Sequence, residues 1–86
     1  MNAITILVYN SRNNNRPAKR VNVYGYYNGG IIGNCPTSKE QTDNDGRCVL
    51  TWDNNLHKLN TILVAGEKHK GEFKAGNTYT FTTNRA

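Results

Sequence analysis

Apolar and polar positions alternate with a period of two along short stretches of this chain, and corners rich in Asn and Gly separate them. Residues 3–9 are a β-branched run that gives way to the polar segment 10–17. Pro17 cannot donate to a ladder, so the next strand is expected after it. Within 18–27, Val21, Val23 and Gly25 share one face, and Asn22, Tyr24 and Tyr26 the other. Asn28-Gly29 is a hairpin signal, since both residues tolerate positive φ, and it predicts a brief returning strand over 30–34 that Pro36 ends. Further on, Cys48, Leu50 and Trp52 alternate with Arg47, Val49 and Thr51, which places the first set inward. The segment 56–59 has room for no more than a short helical turn. Residues 61–65 form a strand bounded by Gly66, followed by a basic tip at 68–71 and a short extended piece at 72–74. Gly76-Asn77 then turns the chain into 78–82, where Tyr79 and Phe81 lie on one face. Six or seven short strands without substantial helix predict an all-β fold. The expected architecture is a small antiparallel β-sandwich, Ig-like, or a barrel, with residues 1–86 as a single domain.

The segment Gln41-Thr-Asp-Asn-Asp-Gly-Arg-Cys48 raises a chemical question. Asp43 and Asp45 have a partial calcium-loop spacing, but a closed site needs six to eight oxygens and the distal Glu of an EF-hand loop is missing. Asp and Asn also close turns through neighbouring backbone amides, with Gly supplying positive φ. A tight turn feeding a strand is therefore the simpler reading of Asp43 and Asp45.

Composition narrows the function classes. Hydrophobic residues make up 36% and mean hydropathy is −0.74, so any core is thin. No apolar run approaches the ~20 residues of a spanning helix, and residues 4–8 lack the basic and long apolar regions of a secretory leader. On these grounds no membrane insertion is expected; an intracellular chain and one whose leader has been removed both fit, with the cytoplasm as the default. Cys35 and Cys48 allow one disulfide, but only with an irregular loop between them; free, partly buried thiols are the simpler alternative. His57 and His69 do not combine with the cysteines at zinc-finger spacing, and neither Cys35 nor Cys48 sits in a nucleophile motif, so no cofactor and no catalytic group is expected.

Charge adds more. Eleven Lys and Arg against six acids give +5. Arg12, Arg16, Lys19 and Arg20 form one concentration, and Lys58, Lys68, Lys70 and Lys74 another, with Tyr24, Tyr26 and Tyr27 nearby. Candidate binding residues are therefore Tyr24, Tyr26, Tyr27, Arg16, Arg20, Lys68 and Lys70. A basic groove with aromatics suits single-stranded nucleic acid through phosphate pairing and base stacking. The same aromatics suit sugar rings or a neighbouring protein.

Three pieces resemble the transthyretin-like (prealbumin-like) sandwich, in particular carboxypeptidase regulatory-like domains. They are Arg16-Pro-Ala-Lys-Arg-Val-Asn-Val23, Thr42-Asp-Asn-Asp-Gly-Arg47 before an alternating strand, and Leu63-Val-Ala-Gly66 with Gly76 before an aromatic last strand. The resemblance implies a non-enzymatic module that binds a protein or carbohydrate partner through its tyrosine face and the loops 10–17 and 66–71. An open edge, at 3–9 or 78–82, would pair with another chain. The related 5-hydroxyisourate hydrolases share Asp45-Gly-Arg47, but this chain ends Tyr79-Thr-Phe-Thr-Thr-Asn-Arg-Ala86 and has no histidine in its first strand. The first strand also lacks the lysine of the isopeptide-bonded collagen-adhesin repeats. The runner-up is a small basic nucleic-acid-binding β-barrel.

Overall fold

The computed structural model describes residues 1–12, 14–53 and 55–85. Nine strands follow in order: β1 (Asn2–Asn10), β2 (Arg16–Pro17), β3 (Asn22–Asn28), β4 (Asn34–Pro36), β5 (Glu40–Gln41), β6 (Arg47–Trp52), β7 (Lys58–Val64), β8 (Glu67–Lys74) and β9 (Thr78–Thr83). A single 3-10 turn, Gly30–Ile32, is the one helical element among the described residues, and no helix is long and apolar enough to cross a membrane. The strands form two sheets that face each other as a small all-β sandwich.

In the first sheet β1 is central. It pairs antiparallel with β6 over Asn2–Leu7 and with β2 over Tyr9 and Asn10, and parallel with β9 from Thr5 to Asn10. A strand has two edges, so β6 and β2 share one edge and β9 takes the other. In the second sheet β4 and β5 share one edge of β3, and β7 and then β8 lie on its other side. All pairs except β1·β9 are antiparallel. The parallel pair and the short strands β2 and β5 extend the six or seven antiparallel strands expected from sequence.

The period of two explains the core. Ile4, Ile6 and Val8 of β1, Cys48, Leu50 and Trp52 of β6, and Val23 of β3 all turn inward and are buried. Register breaks between Leu59 and Thr61, which lets both Leu59 and Ile62, three residues apart, reach the interior. Gly25 lies where β3 crosses β7 closely: an added Cβ would sit 2.7 Å from the Thr61 carbonyl oxygen and 3.0 Å from Leu59 Cδ1.

Two buried threonines lace the layers where the chain crosses between sheets. Thr42 Oγ1 accepts from Val21 N at 2.9 Å and donates to the Ala18 carbonyl at 2.5 Å. Thr37 Oγ1 accepts from Gly25 N, and the next residue, Ser38, bonds both backbone groups of Thr51 in the opposite sheet. Each satisfies backbone polar groups that burial would otherwise leave unpaired.

Several local expectations are corrected. Pro17 belongs to β2, and the next long strand starts at Asn22. The β3–β4 connection is a five-residue loop, because Gly29 keeps negative φ and its N–H bonds the Gly33 carbonyl. Residues 56–59 form no helical turn; Lys58 already begins β7. The basic segment 68–71 is no loop tip but the body of β8, joined to β7 by a two-residue turn in which Ala65 (φ 51°) and Gly66 (φ 81°) are both left-handed. The first strand, 3–9, is no open edge, since β1 is paired on both sides.

Candidate functional site

Antiparallel register fixes what the outer face of the second sheet presents. Tyr24 lies opposite Leu63 and that opposite Lys68; Tyr26 lies opposite Thr61 and that opposite Lys70. Two cross-strand rows therefore carry a tyrosine at one end and a lysine at the other. Four sequence candidates, Tyr24, Tyr26, Lys68 and Lys70, come together on this face. An open depression of about 470 Å³ is bounded by Tyr26, Asn34, Asn60, Thr61, Lys68 and Lys70, with no carboxylate among them. Its lining includes an amide relay: Asn60 Nδ2 donates to Asn34 Oδ1 at 3.0 Å, and Thr61 Oγ1 to Asn60 Oδ1 at 2.9 Å.

The tyrosines are not stacking platforms of equal use. Tyr24 and Tyr26 meet edge to face, with ring centroids 5.7 Å apart and planes at 75°. Lys39 Nζ sits 5.3 Å from the Tyr24 centroid, a cation–π contact that occupies that ring. The neighbouring phenol of Tyr24 raises the Tyr26 pKa above its ordinary value. Tyr27 alternates to the other side, packs against the core and faces Cys35 across the β3–β4 pair. Burial, and then Cys35, raise its pKa. Tyr27 is therefore removed from the candidate face.

Arg16 and Arg20 also lie elsewhere, at the end of the sandwich where β1 finishes. Sequence proximity of Arg16 and Arg20 to Tyr24 does not become spatial proximity to Lys68 and Lys70, because β3 runs away from that end. What sequence reasoning missed on the tyrosine face is Lys39, Asn34 and Asn60. Their signal was hidden in the short edge strands and the broken register of β7.

The remaining candidates have local structural roles. Asp43 Oδ1 accepts the amides of Asp45 at 2.8 Å and Arg47 at 3.0 Å, while Gly46 N bonds the Asp43 carbonyl. The Arg47 amide, and then that of Asp45, hold the Asp43 carboxyl below its usual pKa. Gly46 takes φ 73°, and a Cβ there would collide with the Val8 carbonyl oxygen. The Asp43–Gly46 segment thus makes a turn that seats β6 against β1. No group of three or more His, Cys, Asp or Glu side chains gathers among the described residues.

Both cysteines are free thiols, the simpler of the two readings: Cys35 half-buried in β4, Cys48 buried in β6 of the other sheet. Burial, followed by the charges of Glu40 and Asp43, pushes the Cys48 thiol up to about 11, which leaves it protonated at neutral pH. His69 packs inward on Phe81 at 4.7 Å, and His57 Nδ1 bonds Asn2 Oδ1. The loop expected at 10–17 includes Asn13, and the corner after Trp52 includes Asn54, both outside the described residues, as is Ala86.

No protein-family model, curated protein or solved structure matches the chain.

Proposed function

We propose that this protein is a non-enzymatic interaction module. It presents the outer face of its second sheet to a carbohydrate or protein partner that carries carboxylates. The observation that carries the reading is the carboxylate-free depression in which Tyr26 and two lysines surround the amide relay of Asn34 and Asn60. An aromatic ring offers an apolar surface to a sugar or side chain, the amides offer donors and acceptors, and Lys68 and Lys70 offer charge. Rigid strands hold these groups in place before binding, so little ordering entropy is lost on contact. The carboxypeptidase regulatory-like resemblance fits such a role, and the turn at Asp43–Gly46 is the part of it with the clearest physical purpose.

Base stacking on this face is disfavoured, because the two rings stand at 75° and Lys39 covers one of them. The test is an array of neutral and uronic-acid-containing oligosaccharides, run beside in-cell crosslinking from a photoreactive residue at position 68. A glycan or protein bound by the wild type should be lost in Tyr26→Ala and in Lys70→Ala, both folded. An array and a crosslinking profile that these substitutions leave unchanged would rule out the tyrosine face.

A further inference from the structure

All five arginines lie at one end of the molecule. Arg12 follows β1, Arg16 is in β2, Arg20 precedes β3, Arg47 opens β6 beside Leu7, and Arg85 follows β9, the parallel neighbour of β1. Lys19 joins them, so six of the eleven basic residues occupy this end. Four of the six acids are there: Asp43, Asp45, Glu67, and Glu40, which lies in the same cross-strand row as Glu67. Of these, Asp43 is engaged by its own turn, and Glu67 pairs with Arg85 Nε at 3.4 Å. A depression of about 370 Å³ opens between Lys19, Arg20, Arg85 and the Ala65–Gly66 turn. Arg12, Arg16, Arg20 and Arg47 are exposed, and none has an ion pair among the described residues.

The large exposed hydrophobics take the opposite end. They are Met1, Ile31, Ile32 and Leu56. Leu56 is tied to that end by its carbonyl, which accepts from Asn2 Nδ2 and Trp52 Nε1. The molecule measures 42 × 20 × 18 Å, and the nine residues of β1 alone reach about 30 Å, so the strands run along the long axis and hold the two ends apart.

We propose that the arginine end is a second binding surface, separate from the tyrosine face, that contacts the phosphodiester backbone of a nucleic acid. Four points favour this occupant. Guanidinium groups bind phosphate oxygens bidentately, and here arginine is gathered while five of the six lysines lie elsewhere. A protein interface needs apolar or aromatic anchors at its centre, and the large exposed hydrophobics are all at the far end. A membrane surface needs charge and apolar insertion on the same side, which this molecule separates. Cations spread around a whole end, instead of in one pocket, match a polymer with regularly repeated charge.

The test uses fluorescence anisotropy with a mixed-sequence 20-nucleotide DNA, single- and double-stranded, at 50 and 200 mM salt. One variant, Arg12→Ala with Arg16→Ala and Arg20→Gly, removes three charges from the end; glycine suits the left-handed φ of 57° at position 20. A second, Lys39→Ala with Lys68→Ala and Lys70→Ala, removes three charges from the tyrosine face. Thermal unfolding verifies that each is folded. The arginine variant should lose at least about tenfold in affinity and flatten the salt slope by about 0.9 per lost phosphate contact, and the lysine variant should stay within about threefold of wild type. Equal losses in the two variants would mean bulk charge alone and overturn the proposal. So would undetectable binding at 50 mM salt, or heparin or polyglutamate of matched charge binding as tightly as the DNA. None of these outcomes decides the oligosaccharide and crosslinking test of the tyrosine face.

Discussion

Gly46 shows how much one position can carry. Its left-handed φ excludes most side chains, and the space a methyl group would fill is taken by Val8 O of β1, with Ala18 N and Pro17 Cα each at 3.2 Å. Gly46→Ala is expected to cost about 2–4 kcal/mol in urea unfolding, since backbone on all sides has little freedom to move. Asp43 caps the same turn through its charged form, so its folded pKa lies below the unfolded value of about 3.9. A depressed carboxyl stabilises above the unfolded pKa, and the contribution disappears as pH falls through the folded one. Urea midpoints followed from pH 6 to pH 2 should fall less steeply for Asp43→Asn, which keeps an acceptor oxygen but cannot titrate. Identical slopes would show that the carboxylate charge is not what holds the turn. Cys48 behaves in the opposite sense. Its folded pKa of about 11 exceeds the ordinary value of 9.0, so the protonated thiol's contribution is complete below about pH 9 and lost as pH rises through 11. Cys48→Ala should flatten the alkaline arm of the stability profile, and alkylation at pH 7.5 should reach Cys35 before Cys48.

Elements were legible wherever burial imposed alternation. The two faces of β3 and the inward set of β6 could be read from sequence because each strand faces a dry layer on one side and water on the other. β8 could not be read. Its inward positions include Glu67 and His69, which lie over the sandwich margin against Thr83 and Phe81 and so need not be aliphatic. A strand written Glu-Lys-His-Lys-Gly-Glu has no hydrophobic period to find, and its sequence reads as a basic loop tip. The centrality of β1 was hidden for a different reason, because its parallel partner β9 is some seventy residues away and no local pattern encodes that pairing. The candidate site shared this fate: Tyr24 and Tyr26 were visible on an alternating strand, whereas their neighbours Lys68 and Lys70 depended on β8 being a strand at all. Thr42 gives a test at this scale. Replacing it with Val keeps the shape but leaves the buried Val21 amide without an acceptor, and the expected loss is about 1–3 kcal/mol. A midpoint equal to wild type would mean that water or the shifted turn replaces the hydroxyl.

At the scale of the whole molecule, stability and surface chemistry are assigned to different residues of the same type. Eight large side chains, among them Ile4, Leu50 and Leu59, are almost wholly buried and supply most of the driving force in a chain of 86 residues. A domain of this size has a total stability near the low end of about 5–15 kcal/mol. Leu50→Ala, at a cost of about 2–5 kcal/mol, should therefore leave a measurable fraction unfolded at 37 °C. Ile31 and Ile32 are the converse case. They are 106% and 83% exposed on a loop held by Gly29–Gly33 and Gly33–Gly30 backbone bonds and by Gly30 N to Asn28 Oδ1. Nothing in the fold depends on those two side chains, so the double substitution Ile31→Ser, Ile32→Ser should shift the urea midpoint by no more than about 0.5 kcal/mol equivalent. Calorimetry and urea unfolding of the two variants side by side check the contrast. If the loop variant were as damaging as Leu50→Ala, the apolar end would have to be part of the core, and the separation of an apolar end from an arginine end would no longer hold.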